Sequence, residues 1–566
     1  MAMNRLNLTN PVFQALFLGM GLFVLVAGAP GEVWGYRHHA NKIAYKEYSQ
    51  TVFDQARTEN KPVFMLLSAV WCYWCTAYSE RTLETPEVVG FLNRNFINVF
   101  VDLDQRQDLQ HLYVNRGIPT TVVFTPEGKE FISFSGLLDS KGFLDGMTKV
   151  LADLHAANGT AYTKRYATVR DIRPYLGSPT DREAGKDWKT LAGESRTALH
   201  NLILDTYDID RAGFGEDKKY PLGTLLRLLL SDEGLESNPE LSEAVTATLN
   251  RIANHLYDPV EGGFFRYADN GNWGRIRYEK MITTNARLVR VFQLARSAVP
   301  LKRQPSGERR YDRIYTHSLR FLLDTFTRPE GGFYSSLDGK WPGYYRKDAQ
   351  ARQAASRKPQ LDRTVFTAWN AEAIVVLTEV YRADPDPRLR TALEGALAFM
   401  GSRFKPDTGF GSYFLPDQGR TEGEGQVADN SWGALAMIVG YEWTGKAAYL
   451  RHFEDAIAYS KRMLLIPELG VFRLWNVPNH EGLREQERVA REIPLAPNAV
   501  LAQALLRGHR ASGNPRHRAL AEKVLHALGG LEPDLFDENP NDGGNTYLES
   551  FAHLLRAQHL LARLGS

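Results

Sequence analysis

The chain contains two cysteines, Cys72 and Cys75, within the run Trp71-Cys72-Tyr73-Trp74-Cys75. Two thiols this close can close into a disulfide and reopen, which is two-electron exchange chemistry. The rival chemistry is zinc binding, which requires four ligands in a structural site. The nearest histidines, His38 and His39, are adjacent, upstream and wrongly spaced, so no metal is expected. A secreted scaffold stapled by disulfides would carry more cysteines.

The flanking elements assign the two sulfurs different tasks. Val63 to Leu67 is an apolar run of strand length, and a helix begins behind the second cysteine at Thr76. A cysteine at a strand-to-helix turn has its thiolate stabilised by first-turn amides and the helix dipole. Cys72 is therefore the expected nucleophile, and Cys75, one turn further in, resolves the mixed disulfide. Tyr45 to Asn60, Pro86 to Asn95, Gln107 to Asn115 and Ser140 to His155 read as helices. Ile97 to Leu103, Thr121 to Phe124 and Phe131 to Phe134 read as strands. Such alternation predicts an α/β sheet covered on both faces.

These residues resemble the thioredoxin fold: WCxxC after a core strand, and Gly117-Ile118-Pro119-Thr120 before a later one. The resemblance implies a cis proline at Pro119 beside the active pair. It also implies a substrate groove formed by Trp71, Tyr73, Trp74, Ile118 and Pro119, with no cofactor beyond the disulfide itself. Two departures are visible. Leu66 stands where thioredoxins carry a buried acid six positions before the first cysteine, and Tyr73-Trp74 is bulkier than their Gly-Pro.

With 566 residues the chain is too long for one domain. Its composition is 43% hydrophobic and 24% charged, with a net charge of +2, which excludes a disordered chain and any basic excess suited to nucleic acid. Val12 to Ala29 is apolar apart from Gln14. It is expected to be a transmembrane anchor, with a cleaved signal segment as the alternative. The bulk of the protein is then expected in the periplasm. The cytoplasmic face is one alternative, because Arg37, Lys42 and Lys46 follow the segment, and export after cleavage at Ala27-Gly28-Ala29 is another. The expected division is a tail over 1–11, the anchor over 12–29, a thioredoxin-like domain over 40–156, a linker over 157–190 and a helical domain over 191–566.

In the helical part, twelve runs with apolar residues at helical spacing follow one another from Trp188 to Leu564. A glycine-aromatic turn recurs between them at Gly213-Phe214, Gly263-Phe264, Gly332-Phe333, Gly409-Phe410 and Gly470-Val471-Phe472, with a last version near Asp542-Gly543-Gly544. A unit repeated about six times predicts helical hairpins closing into an (α/α)6 toroid. That toroid resembles the six-hairpin glycosidases and sugar epimerases.

The whole order resembles the thioredoxin-domain proteins related to spermatogenesis-associated protein 20. The residues that carry this resemblance include Lys219-Tyr220-Pro221, Gly262 to Tyr267, Trp273, Glu279-Lys280-Met281, Asp362, Thr367-Ala368-Trp369-Asn370, Asp429 and Pro497-Asn498. Arg277 and Thr284 replace the family's usual histidine and aspartate, and Lys340 replaces a usual acid. Tyr267, Trp273, Glu279, Lys280, Asp338, Asp362, Trp369, Asn370 and Asp429 are the candidates for a toroid cavity.

Three functions follow as expectations. The first is a membrane-anchored thiol–disulfide oxidoreductase whose toroid positions a protein client or a glycan. The second is a non-catalytic accessory subunit of an integral membrane complex. The third is a carbohydrate-active enzyme, with a carbohydrate ligand in the toroid and paired carboxylates or acid–base groups doing the work.

Overall fold

A computed structural model describes residues 42–106, 109–110, 113–114, 117–156, 187–215, 217–231, 238–298, 309–475, 493–529 and 545–564. The first unit is a five-stranded sheet in the order β1-β3-β2-β4-β5. The strands are β1 (Tyr45–Glu47), β2 (Val63–Ser68), β3 (Ile97–Asp102), β4 (Thr120–Phe124) and β5 (Glu130–Ser135). Strands β2, β3 and β4 are buried on both faces, which is why they read as continuous apolar runs. Helices α1 (Gln50–Glu59), α2 (Tyr73–Tyr78), α3 (Pro86–Asn95) and α4 (Ser140–Ala156) complete the unit. Helix α2 runs directly into a π-helical turn, Ser79–Leu83.

The single helix expected over Tyr45 to Asn60 is split. Tyr45–Glu47 pairs in parallel with β3, where Tyr45 meets the edge of Phe100 at 5.7 Å. Of the helix expected over Gln107 to Asn115, only Leu109, Gln110, Tyr113 and Val114 are among the described residues.

Twelve further helices form two rings. The inner ring is α6 (Gly223–Ser231), α8 (Ile282–Ala298), α10 (Thr367–Ala383), α12 (Val427–Thr444), α14 (Leu495–Ser512) and α16 (Asn545–Leu564). The outer ring is α5 (Trp188–Thr206), α7 (Pro239–His255), α9 (Arg310–Thr325), α11 (Pro387–Arg403), α13 (Ala447–Met463) and α15 (Pro515–Gly529). Each inner helix packs on the next, and α16 closes the circle against α5 and α6. Outer helices α7 and α11 start on side-chain caps: Asn238 accepts the Leu241 amide, and Asp386 those of Arg388 and Leu389, each with proline at the first position.

The recurring turn joins an outer helix to the next inner one. Tyr207 bridges to Phe214, Tyr257 to Phe264, Thr327 to Phe333, Phe404 to Phe410 and Leu465 to Phe472. Glycine is required there: Gly331 has φ 94°, and a Cβ on it would lie 2.5 Å from the Gly395 carbonyl. The version near Asp542 lies outside the described residues.

A second device locks these turns. The fourth residue of four inner helices is asparagine. Asn285, Asn370, Asn430 and Asn498 accept the amides of Phe264, Phe333, Phe410 and Phe472 at 2.7, 2.6, 3.1 and 2.8 Å. Three of them, Asn285, Asn370 and Asn498, return a bond to the carbonyl of the same phenylalanine. Buried backbone groups in an otherwise apolar ring are satisfied in this way.

The described residues do not support the membrane-spanning helix expected over 12–29. No helix among the described residues is long and apolar enough to cross a membrane, and residues 12–29 lie outside that set. The most apolar inner helices are interrupted by polar groups, such as Asp429-Asn430-Ser431 in α12, and are covered by protein.

Candidate functional site

Cys72 caps the N-terminus of α2 in an extended conformation, and its sulfur accepts the Cys75 amide at 3.1 Å. The two cysteines form a disulfide with their Cα atoms 5.3 Å apart. The Ile118–Pro119 peptide bond is cis. Both sulfur residues are covered, Cys72 at 4% exposure and Cys75 at 2%. The first unit and the toroid both supply the cover. Met281 packs against the pair together with Ala69 and Trp71, and Ile118 and Trp369 border the cluster.

A β-hairpin of the toroid grips the WCYWC turn from both sides. Its strands are β6 (Tyr267–Ala268) and β7 (Ile276–Arg277). Arg266 lies over the Trp71 ring at 3.9 Å and Arg277 over the Trp74 ring at 5.0 Å. Cation–π contacts of this kind strengthen as water is excluded. The Arg266 amide donates to the Arg277 carbonyl at 3.1 Å, and Asp269 pairs with the Arg277 guanidinium. On its other side, the Trp71 indole N–H donates to Asp104 at 2.7 Å. Burial pushes the Asp104 carboxyl up to about 8; Asp102 and Asp362 add to the rise, while Trp71 and Arg266 oppose it.

Beneath this contact is a chamber of about 470 Å³, within the size range of small-molecule sites. The first unit lines it with Trp71, Asp104, Gly117 and Ile118. The toroid contributes Arg266, Met281, Thr284, Arg287, Trp369, Glu372 and Trp432, among others. Arg287 and Glu372 form a two-point ion pair at 2.5 and 2.7 Å. Thr284, which stands where the resembling family has an aspartate, is on the chamber wall.

The expected residues separate into groups. Trp71, Ile118 and Trp369 line the chamber. Tyr73 and Trp74 flank its roof, with their rings in edge contact at 5.0 Å. Glu279 is 3% exposed beside the WCYWC turn; burial raises its carboxyl, against the pull of Arg266, Arg277 and the Tyr73 amide.

The others serve the frame around the chamber. Lys280 is buried on Asp258 and the Gly262 carbonyl, both at 2.7 Å. Trp273 is 1% exposed and donates to the Ala212 carbonyl at 3.0 Å. Asn370 clamps Phe333. Tyr267 stacks on Tyr220 at 4.5 Å. Asp362 accepts the Thr364 amide at 3.0 Å. Asp338 is raised by burial, opposed by Lys340 3.5 Å away. Asp429 accepts from Ser412 at 2.6 Å and from the Ala368 amide at 3.2 Å, and burial pushes it up to about 7.

Residues 33–172 match the family model Thioredox_DsbH, described as a protein of unknown function, DUF255. This stretch of the chain is similar to that family. Beyond it, the chain is similar to spermatogenesis-associated protein 20 of Mus musculus, at 27% identity over 330 residues. The match takes in 54% of this chain and 40% of the mouse protein. The human protein gives 26% over 326 residues, with the same coverage. The matched part thus spans less than half the length of these relatives. Among solved structures, the cellobiose 2-epimerase from Spirochaeta thermophila DSM 6192 has 17% identity and a TM-score of 0.51, covering 70% of this chain and 99% of that one. A D-mannose isomerase has 8% identity and a TM-score of 0.51, covering 66% and 98%. At these identities the likeness is one of fold: the toroid is the six-hairpin, epimerase-like ring.

Proposed function

We propose that this protein is a thiol–disulfide oxidoreductase whose working pair, Cys72 and Cys75, acts at the mouth of the helical toroid. The observation that supports it most is the packing of the disulfide against Met281 and Trp369, residues that also wall the chamber. A sulfur pair kept only as a staple needs no chamber beside it. Cys72, at the helix start, attacks the client disulfide, and Cys75 then displaces the client from Cys72. The chamber receives the part of the client that carries the reacting sulfur, with Trp71 and Ile118 on one side and Trp369 on the other. The polar wall of Arg266, Asp104, Arg287 and Glu372 suits a client segment bearing charge of both signs.

The test is a redox titration of the full chain in thiol buffers, read by alkylation and mass. A reversible two-electron transition is expected, lost in Cys72→Ser. Cys75→Ser should accumulate a mixed disulfide on Cys72, whose partner identifies the client. If neither oxidation state can be converted into the other, the proposal fails.

A further inference from the structure

Among the described residues, the ionisable side chains on the chamber wall are Asp104, Arg266, Arg287 and Glu372. Arg287 and Glu372 hold each other through two points at 2.5 and 2.7 Å. Asp104 accepts the Trp71 indole N–H at 2.7 Å, and burial pushes its carboxyl up to about 8. It therefore carries little charge at neutral pH. Arg266 is left over. Among the described residues its guanidinium has neither an ion pair nor a hydrogen bond. Asp104 and Glu279 feel its charge, and burial raises both of their carboxyls.

This cation is fixed close to the cysteines. The Arg266 amide donates to the Arg277 carbonyl at 3.1 Å, which holds its backbone to the hairpin. Its side chain lies over the Trp71 ring at 3.9 Å and beside the Tyr267 ring at 5.4 Å. A guanidinium resting over a ring presents its face to that ring. Its N–H donors lie in its own plane and stay available to a carboxylate, which matches their fork. Trp71 immediately precedes Cys72 and packs in one cluster with Cys72, Cys75 and Met281. A single ring thus separates the free guanidinium from the packing around the sulfurs. Trp71, Met281, Ile118 and Trp369 belong both to that packing and to the chamber wall. With the cysteines only 4% and 2% exposed, the chamber is the space from which a reactant meets this shell.

We propose that the client is an anionic thiol, with a carboxylate a few bonds from its reacting sulfur, and that Arg266 binds this carboxylate in the chamber. This rests on the thiol–disulfide reading above and names the group that the client carries. Reduction of the pair then proceeds in two displacements. A client thiolate attacks Cys72, a bond forms between the two sulfurs, the Cys72–Cys75 bond breaks, and the Cys75 sulfur takes a proton from the buffer. A second client thiolate attacks the client sulfur, the client leaves as its own disulfide, and Cys72 departs as a thiolate that is protonated in turn. Two electrons enter the protein and two client thiols are oxidised. Arg266 touches neither sulfur; it selects and aims the molecule that brings one.

The oxidised full chain is reduced at pH 7 by three small thiols of different charge: 3-mercaptopropionate, 2-mercaptoethanol and cysteamine. Each rate is divided by the thiolate concentration and by the rate of the same thiolate on hydroxyethyl disulfide, which removes intrinsic nucleophilicity. The carboxylate thiol should exceed the ammonium thiol by about tenfold, as a charge-assisted arginine pair allows, with the neutral thiol between them. In Arg266→Gln the three should fall within about twofold of one another. A merely loosened turn would raise all three rates together and leave their ratios unchanged. No preference in the unaltered chain, or the same preference in the variant, would overturn the proposal. If the variant does not fold, the methyl ester of 3-mercaptopropionate decides on the unaltered chain: masking the charge should abolish the advantage, and an equal rate would overturn it. Short peptides containing Glu-Cys or Lys-Cys then locate the carboxylate. A preference for Glu-Cys supports a protein client, and a preference confined to the small thiols supports a free acid. A chain that none of these thiols reduces refutes the underlying redox reading instead, which is a separate result.

Discussion

Arg266 of the toroid lies 3.9 Å from the centre of the Trp71 ring, the residue immediately before the first cysteine. The contact joins two parts of the chain that differ in fold, and it closes one wall of the space beside the disulfide.

Replacing this arginine with alanine should loosen the turn. A partly desolvated cation–π contact contributes about 0.5–2 kcal/mol. In Arg266→Ala, hydrogen exchange across residues 71–78 should accelerate several-fold while the β2–β3 amides stay protected. Unchanged protection at 71–78 would mean that the arginine rests on the ring without holding it.

Filling the chamber separates access from chemistry. Ala428 lines the chamber on the side of α12, and Ala428→Trp would occupy part of the 470 Å³. Reduction by a small dithiol should change less than twofold, because that reagent needs little room. Exchange with the client trapped by Cys75→Ser should slow at least tenfold. Equal rates with both partners would show that the client does not enter the chamber.

The asparagine clamps should rank among the costliest positions in the helical domain. Asn370→Ala strips partners from both the amide and the carbonyl of buried Phe333. Each such group left unpaired costs about 1–3 kcal/mol. The urea midpoint should fall clearly, and Thr391→Ala, on an exposed face of α11, should barely move it. Equal midpoints would assign the turn's rigidity to its glycines alone.

Buried acids give the fold a pH slope of definite sign. Burial raises Asp429 to about 7 and Asp104 to about 8. In the unfolded chain both ionise near the ordinary value of ~3.9. Between there and pH 7 to 8 the folded state holds protons that the unfolded state has lost. Stability is therefore highest at the acid end of this window and declines as pH rises through it. Asp429→Asn should flatten the decline between pH 5 and 8 in urea titrations. An identical slope in the variant would show that Asp429 ionises normally in the folded chain.

Much of this architecture could be read before any coordinates, for a physical reason. Helix period, strand-length apolar runs and glycine-aromatic turns are local signals, and Cys72, Cys75 and Pro119 sit inside local motifs. The hold on the active turn is not local. Trp71 and Arg266 are nearly two hundred residues apart, and no pattern along the chain pairs them. The same holds for Glu279, whose sequence neighbours suggest a cavity acid while the fold buries it beside the WCYWC turn. The clamps are an intermediate case. Asparagine at the fourth position of Ile282–Ala298, Thr367–Ala383, Val427–Thr444 and Leu495–Ser512 is a visible regularity, but its meaning depends on which turn each helix meets. The expected anchor over Val12 to Ala29 falls on residues outside those described.

The ring is closed by its last helix, Asn545–Leu564, against its first, Trp188–Thr206. During synthesis the cysteines leave the ribosome several hundred residues before that closure. At ~5–20 residues per second the interval is roughly tens of seconds. For that time Cys72 and Cys75 are open to whatever oxidants and thiols surround the nascent chain. Ring closure thus changes which of these reagents can reach the pair.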